Sequence, residues 1–528
     1  MDNKKIKIVS IISIIALALT LVAATYAFFV AQTGEGAQTD IKINANTVDT
    51  FTFEAGSALN LSLNQENFAS GKGNQTGTTF AKALLSANNK TNTATEHYYL
   101  YLNISNNTFT YSIDNNTPEI LLSIKDGSNN EITTLTGLTY KTVTDGKGAS
   151  IKGFDITNKK GLITILNNRE ITTTSSKTEE WNVTVTFVNY NSNQAGNAGK
   201  NFSAKLMIQK EKIPTVLSDV CTSGNNLASC ITTLSNKSEP SIVNIYHHTS
   251  SLVNGAGDNS YRYAGASDQV NNFVCFGSDA ATCPTDNLYR IIGVINDKVK
   301  LIKYDYMTTD ELGTDGDYSQ TYKEWGMDSA YKGTYGDGER IGAYYWNNDA
   351  GTNTWSRSLL NKTNLNTNFI NYIGTEWSNK IATTTWKVGG NTWTNICIKT
   401  PSVAYTNEIT SPDATNSTDN AIEYSAKIGL MYVSDYGFAA SPEAWTITMS
   451  SYSNTTATNN NWMYMGLYEW TISRDSYGSH SAFFVGSAGH VDRDDVSVDS
   501  GVRASFSLSS STTYVSGSGS MSDPIRVN

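Results

Sequence analysis

Apolar and polar residues alternate in short runs through the first two hundred positions. "WNVTVTFV" sets Trp181, Val183, Val185 and Phe187 against Asn182, Thr184 and Thr186. "YLYLNIS" does the same with Leu100, Leu102 and Ile104, and "SAKLMIQ" with Ala204, Leu206 and Ile208. A period of two is the mark of a strand with one face buried and one wet. The runs are separated by turn-forming segments such as "DGSNN", "TDGKG" and "SNQAGNAG". Residues 32–212 are therefore predicted to form an antiparallel β-sandwich. Within it, "FAKALLSANN" has a spacing that also suits a short crossover helix. "KEKIPT" (210–215) breaks the alternation with charge and Pro214 and marks a domain boundary. Residues 213–240 read as a connector with a short helix over "LASCITTL".

The second domain, 241–528, carries mixed signals. "NLYRIIGVINDKVKLIKYDY" predicts a strand pair with Asn296 and Asp297 at the turn. "WSRSLLNKTNLNTNFINYI" has apolar spacing near three and four and predicts a helix. "NKIATTTWKVGG" and "AKIGLMYVSDYGFAA" are expected to be strand or turn. In the stretch 468–508 an apolar skeleton recurs: Trp470, Ile472, Ala482, Phe483, Val485, Val491, Val496, Val498, Val502, Phe506 and Leu508. Trp470, Phe484, Val491 and Phe506 are expected in the core. Between them lie the polar runs "DSYGSH", "GSAGH" and "DRDD".

The N-terminus changes the picture. Lys4, Lys5 and Lys7 precede an uncharged run from Ile8 to Ala31, and Thr25 and Ala27 precede a possible cleavage point ahead of Phe28. Residues 1–31 are thus an export signal or, since the run can span a bilayer, an uncleaved transmembrane anchor. A net charge of −10 gives no footing for nucleic acid, which is set aside. In an exported chain the five cysteines suggest two local disulfides, Cys221 with Cys230 and Cys275 with Cys283, leaving Cys397; plain thiols are the alternative.

Catalytic motifs are lacking: there is no G-x-S-x-G, H-E-x-x-H, P-loop or G-x-G-x-x-G. The histidines are His97, His247, His248, His480 and His490, with no motif to join them. No enzyme is expected. Asp315, Asp317, Asp337, Glu339, Asn347, Asn348 and Asp349 offer oxygens for calcium, but none fits the EF-hand spacing, and solvated turns are the expectation. No cofactor is expected, with calcium kept open.

Two resemblances add to this reading. "ATYAFF" followed by "DIKINANTVDTFTFEAG" resembles the camelysin and TasA-like surface proteins of Gram-positive bacteria. That group implies export and a β-sandwich, and some of its members polymerise by donating an N-terminal strand. The stretch 258–528, through "DNSYRYAGA", "DNLYRIIGVI", "NNWMYMGLYEWTISR", "GVRASFSL" and "SGSGSMSDPIRV", resembles a surface domain of gut Gram-positive bacteria. That domain is in turn similar to the C-type-lectin and formylglycine-generating-enzyme fold. Ala504 stands where that motif usually has proline, and no cysteine follows Cys397 to support formylglycine-type oxidation. The implied fold class is mainly β: an N-terminal antiparallel β-sandwich plus a C-terminal α+β C-type-lectin-like domain.

A candidate binding face follows: Asp475, Tyr477, His480, Ser487, His490, Asp492, Arg493, Asp494, Asp495 and Asp499. Tyr, Ser and Gly are residues that recognition loops favour. From Asp475 to Ser500 there is no Lys, Glu, Gln, Met, Trp or Asn, and every residue can be encoded by a codon ending in a pyrimidine. That is the footprint expected where a retroelement randomises adenines in the codons of a lectin-like variable region. The expectation is an adhesin-like surface protein whose partner is a host or bacterial glycan or protein. The alternative is a self-assembling biofilm-matrix or fibre subunit. Contact with the membrane would come through the N-terminal segment if it is uncleaved.

Overall fold

The computed structural model describes residues 49–528, apart from 69–70, 89–91, 323–330, 336–339, 349–351 and 453–454. The export signal or anchor, residues 1–31, and three of the calcium candidates, Asp337, Glu339 and Asp349, lie outside the described residues. Among the described residues no helix is long and apolar enough to cross a membrane. The protein is mainly β, with 37% strand and 18% helix. It divides into two compact units, 1–212 and 213–528.

The first unit is built from β1 (Thr50–Ala55), β2 (Leu59–Ser62), β3 (Gln75–Ser86), β4 (Ala94–Asn107) and β5 (Ile120–Asp126). It continues with β6 (Tyr140–Thr144), β7 (Ser150–Asp155), β8 (Gly161–Thr173), β9 (Ser176–Phe187) and β10 (Asn201–Gln209). One sheet has the order β1-β3-β9-β5-β7-β6 and the other β2-β10-β4-β8. All of their pairings are antiparallel. Alternate residues of both sheets supply one apolar cluster, including Leu100, Leu102, Ile104, Val183, Val185, Phe187, Ala204 and Leu206. Phe80–Ser86 of "FAKALLSANN" is strand, not helix: Ala81, Ala83 and Leu85 are buried at every second position, and β3 pairs residue for residue with β9. The period of two overrides the helical spacing because the partner strand satisfies each backbone group.

Residues 213–240 correct the expected connector, because they belong to the core of the second unit. Asn226 accepts from the Ser229 N–H at 3.0 Å and caps the helix Leu227–Lys237. That helix buries Leu227, Cys230, Ile231 and Leu234 in the same cluster as Ile291, Val294 and Leu301. Cys221 is bonded to Cys230 and Cys275 to Cys283. The Cys397 thiol is buried, and burial pushes its pKa well up.

The main sheet of this unit runs Ile428–Gly429, Ser505–Ser507, Lys298–Lys303, Leu288–Ile295, Phe273–Cys275, Ile525–Val527, Tyr514–Ser516. Asn296 and Asp297 both take left-handed φ, 51° and 59°, as a two-residue hairpin turn requires. The predicted helix is wound as a π-helix over Leu360–Phe369 and continues as an α-helix from Ile370 until Gly374, at φ 76° and ψ 168°, breaks it before a last short turn to Ser378.

"AKIGLMYVSDYGFAA" departs from expectation, since Val433–Ala439 is helical. The reason lies in two carboxylates distant from strand logic. Asp435 accepts from the Tyr432 N–H at 3.0 Å, and Glu408 from the N–H groups of Val433 at 2.9 Å and Ser434 at 3.0 Å. These satisfy the donors that a helix start leaves open. Asp435 also meets Arg262 at 3.1 Å and Lys300 at 2.5 Å, with all three side chains buried.

His248 packs edge-on against Phe438, and its Nδ1 accepts from the Ala256 N–H at 3.0 Å. Burial, reinforced by the Arg262 charge, pushes its pKa down to about 3 from 6.5. The folded state therefore resists a proton that the unfolded chain takes up. Stability from this group is complete above pH 6.5 and is lost as pH falls from 6.5 towards about 3. The slope from this one group is at most about 1.4 kcal/mol per pH unit. Urea titrations between pH 4 and 7 are expected to show a shallower loss of stability with falling pH in His248→Phe than in the wild type. Limited trypsinolysis is expected to cut first at the exposed Lys210 or Lys212, leaving residues 213–240 with the larger fragment.

Candidate functional site

The stretch 468–508 folds as a three-stranded antiparallel meander, Glu469–Arg474, Ser481–Val485 and Val491–Asp495, followed by the short strand Ser505–Ser507. Its skeleton is core. Trp470, Phe484, Val491 and Phe506 are buried, as are Ile472, Ala482, Phe483, Val485, Val496, Val502 and Leu508. The Trp470 Nε1–H donates to the Tyr344 carbonyl at 2.9 Å, and the Thr471 hydroxyl to that of Phe483 at 2.8 Å. Val498 is the exception at 37% exposed. It follows Asp495 in a tight turn closed by its own N–H on the Asp495 carbonyl at 2.9 Å, outside the three strands of the meander.

The loop between the first two strands is held from outside. The Asn353 amide donates to the carbonyls of Asp475 at 2.8 Å, Gly478 at 3.0 Å and Ser481 at 2.7 Å. The Asn416 amide donates to the carbonyls of Ser476 at 3.0 Å and Tyr477 at 2.8 Å. From within, the Tyr477 N–H donates to Asp475 Oδ1 at 3.0 Å. Arg474 anchors the neighbouring loop by donating to the carbonyls of Asp413 and Thr415, both at 3.0 Å. Burial lowers its guanidinium pKa to about 10. The result is a backbone fixed at every residue from Asp475 to Gly478, carrying a Tyr477 ring that is 77% exposed.

The ten candidate residues do not form one exposed face. Tyr477, His480, Arg493 and Asp494 are exposed. Asp475 corrects the expectation: it is only 1% exposed and forms an ion pair with Arg493, tying the loop to the third strand. The half-buried candidates also serve the scaffold. Asp492 accepts from the Trp393 Nε1–H at 2.6 Å, and Asp499 from Gln320 at 2.9 Å. Asp495 accepts from the Ser497 N–H at 3.0 Å and its hydroxyl at 2.8 Å. His490 stands edge-on to Phe484, and the Ser487 carbonyl accepts from the Tyr464 hydroxyl. Except for Asp495, the partners are side chains or rings from elsewhere in the fold, and these contacts withdraw the candidates from the surface.

Sequence reasoning missed Asn353, Asn416 and the loop around Asp413. Their partners lie 60 or more residues away, and asparagine is too common in this chain to stand out. The calcium candidates that can be placed serve other bonds. Asp317 accepts from the N–H groups of Asn348 at 2.8 Å and Leu360 at 2.7 Å, and Asp315 from the Asn368 amide at 2.6 Å. The Asn347 amide donates to the Thr352 carbonyl at 2.9 Å. Among the described residues no group of three or more His, Cys, Asp or Glu is gathered to hold a metal.

The chain matches no protein-family model, and no curated protein matches it either.

Substitutions should separate scaffold from surface. Trp470→Ala is expected to cost about 3–5 kcal/mol through the lost packing. Asn353→Ala should cost about 1–3 kcal/mol, because three carbonyls lose a buried donor. Tyr477→Ala should change stability by less than about 0.5 kcal/mol. Chemical denaturation of the three variants checks all of these, and a loss at Tyr477 equal to that at Trp470 would contradict the arrangement.

Proposed function

We propose that this chain is an exported, adhesin-like binding protein of the bacterial cell surface. In this reading the first unit is a β-sandwich of the camelysin and TasA-like kind, and the second a C-type-lectin-like domain that offers its meander to a glycan or protein partner. One observation carries the proposal: the loop 475–480 is clamped by Asn353 and Asn416 while Tyr477 stands in solvent, flanked on the meander by exposed His480, Arg493 and Asp494. Tyrosine offers a rigid, amphipathic contact, and a fixed backbone means that little ordering entropy is lost on binding. Two disulfides and the charged-then-apolar N-terminus support a place outside the membrane. No catalytic step and no cofactor enters this reading.

A second reading, a matrix or fibre subunit, is favoured by the outer edges of the first unit's two sheets, which have no further strand among the described residues. The adhesin reading is tested by binding of the full chain to glycan arrays and to host and bacterial cells. A Tyr477→Ala, His480→Ala, Asp494→Ala variant, which leaves the Arg493–Asp475 ion pair intact, is expected to keep the melting temperature and lose binding. Binding unchanged in that variant would refute the reading. Concentration-dependent fibres of the full chain without partner binding would favour the second.

A further inference from the structure

The first unit carries a feature that the adhesin reading does not use. β8 is the last strand of its sheet, and among the described residues only β4 pairs with it. Along its outer side runs a groove of about 590 Å³, walled by Leu162–Ile165 and Asn167 on one side and by the segment Thr134–Leu138 on the other. Six residues of strand, Leu162–Asn167, present roughly 20 Å of open edge at about 3.3 Å per residue. An open edge carries unpaired N–H and C=O groups that a further extended chain can pair with.

The side chains around this edge select the chain that would fit. Leu135 and Leu138 come from the facing segment, and Ile163 and Ile165 are buried beneath the edge, so the inner side of the groove is apolar. Lys159, Lys160 and Lys212 are exposed on its rim. A strand added here turns alternate residues inward and outward. The geometry points to a partner whose extended segment alternates apolar and acidic residues, captured by strand addition to β8. The apolar residues pack against the half-buried Leu138, and the carboxylates face Lys159 and Lys160.

Charge complementarity argues for a partner rather than a second copy of this chain. The chain's own strand-like run "DIKINANTV" offers Asp40, Lys42, Asn44 and Asn46 in its polar register, with no net negative charge to meet the lysines. This inference does not depend on the meander of the second unit.

The test uses the full chain and two fluorescent ten-residue probes, one alternating valine with glutamate and one alternating valine with lysine. The glutamate probe is expected to bind by fluorescence anisotropy, to weaken with added salt, and to protect β8 amides in hydrogen exchange. Lys159→Glu with Lys160→Glu should weaken it about tenfold, as expected for two partly exposed charge contacts, without shifting the melting temperature. Four results would overturn the proposal: no binding of the glutamate probe, equal binding of the lysine probe, protection elsewhere than β8, or binding unchanged by the double charge reversal. Self-association through β8 that excludes the probe would overturn it as well and would assign the edge to a second copy. Because the readout lies in the first unit, failure here leaves the Tyr477 surface untouched, and failure there leaves this edge untouched.

Discussion

The second unit depends on a buried carboxylate, Asp435, that holds two buried cations. Burial alone would raise its pKa, but Lys300 and Arg262 more than offset this and keep it below the ordinary carboxylate range. Each member comes from a different element: Arg262 from Tyr261–Tyr263, Lys300 from Lys298–Lys303, Asp435 from the helix Val433–Ala439. Desolvating three charges is costly, so the cluster persists only with all partners in place, and breaking such a pair costs about 3–5 kcal/mol. Its role is therefore to specify which elements meet more than to add stability.

That constraint reaches the meander through the sheet. The Lys300 strand pairs with Ser505–Ser507, and just before that strand Arg503 forms a second buried pair with Glu469, at 2.8 and 2.9 Å. Glu469 opens the first strand of the meander. Charges set deep in the unit thus fix the base of the loops, while Asn353 and Asn416 fix their tips. A surface held from both ends can change its outward side chains without changing its backbone. Tyr477, His480 and Asp494 occupy the positions with that freedom, whereas Arg493 is committed to Asp475.

The first unit works on another principle. Its two sheets share an apolar cluster supplied by alternate residues, and among the described residues its edges, not its faces, remain available. The groove beside β8 exists because the segment Thr134–Leu138 stands off from the last strand without pairing to it.

Local chemistry determined what the sequence alone made legible. Alternation in "WNVTVTFV" specified a half-buried strand, Asn296–Asp297 a hairpin turn, and Cys221 and Cys275 lie near enough to Cys230 and Cys283 for short loops to close. The apolar skeleton of 468–508 was legible for the same reason, since burial of large side chains follows hydrophobicity position by position. Only the tertiary structure decided the fate of the polar residues. Asp475 is buried and paired with Arg493, 18 residues on, and Tyr477 is exposed with its carbonyl held by Asn416, 61 residues back. A polar side chain is content in water or with any partner of the right geometry, so its hydrophilicity does not say which. The helix Val433–Ala439 was settled in the same way, by Glu408 reaching its first N–H groups from 25 and 26 residues away.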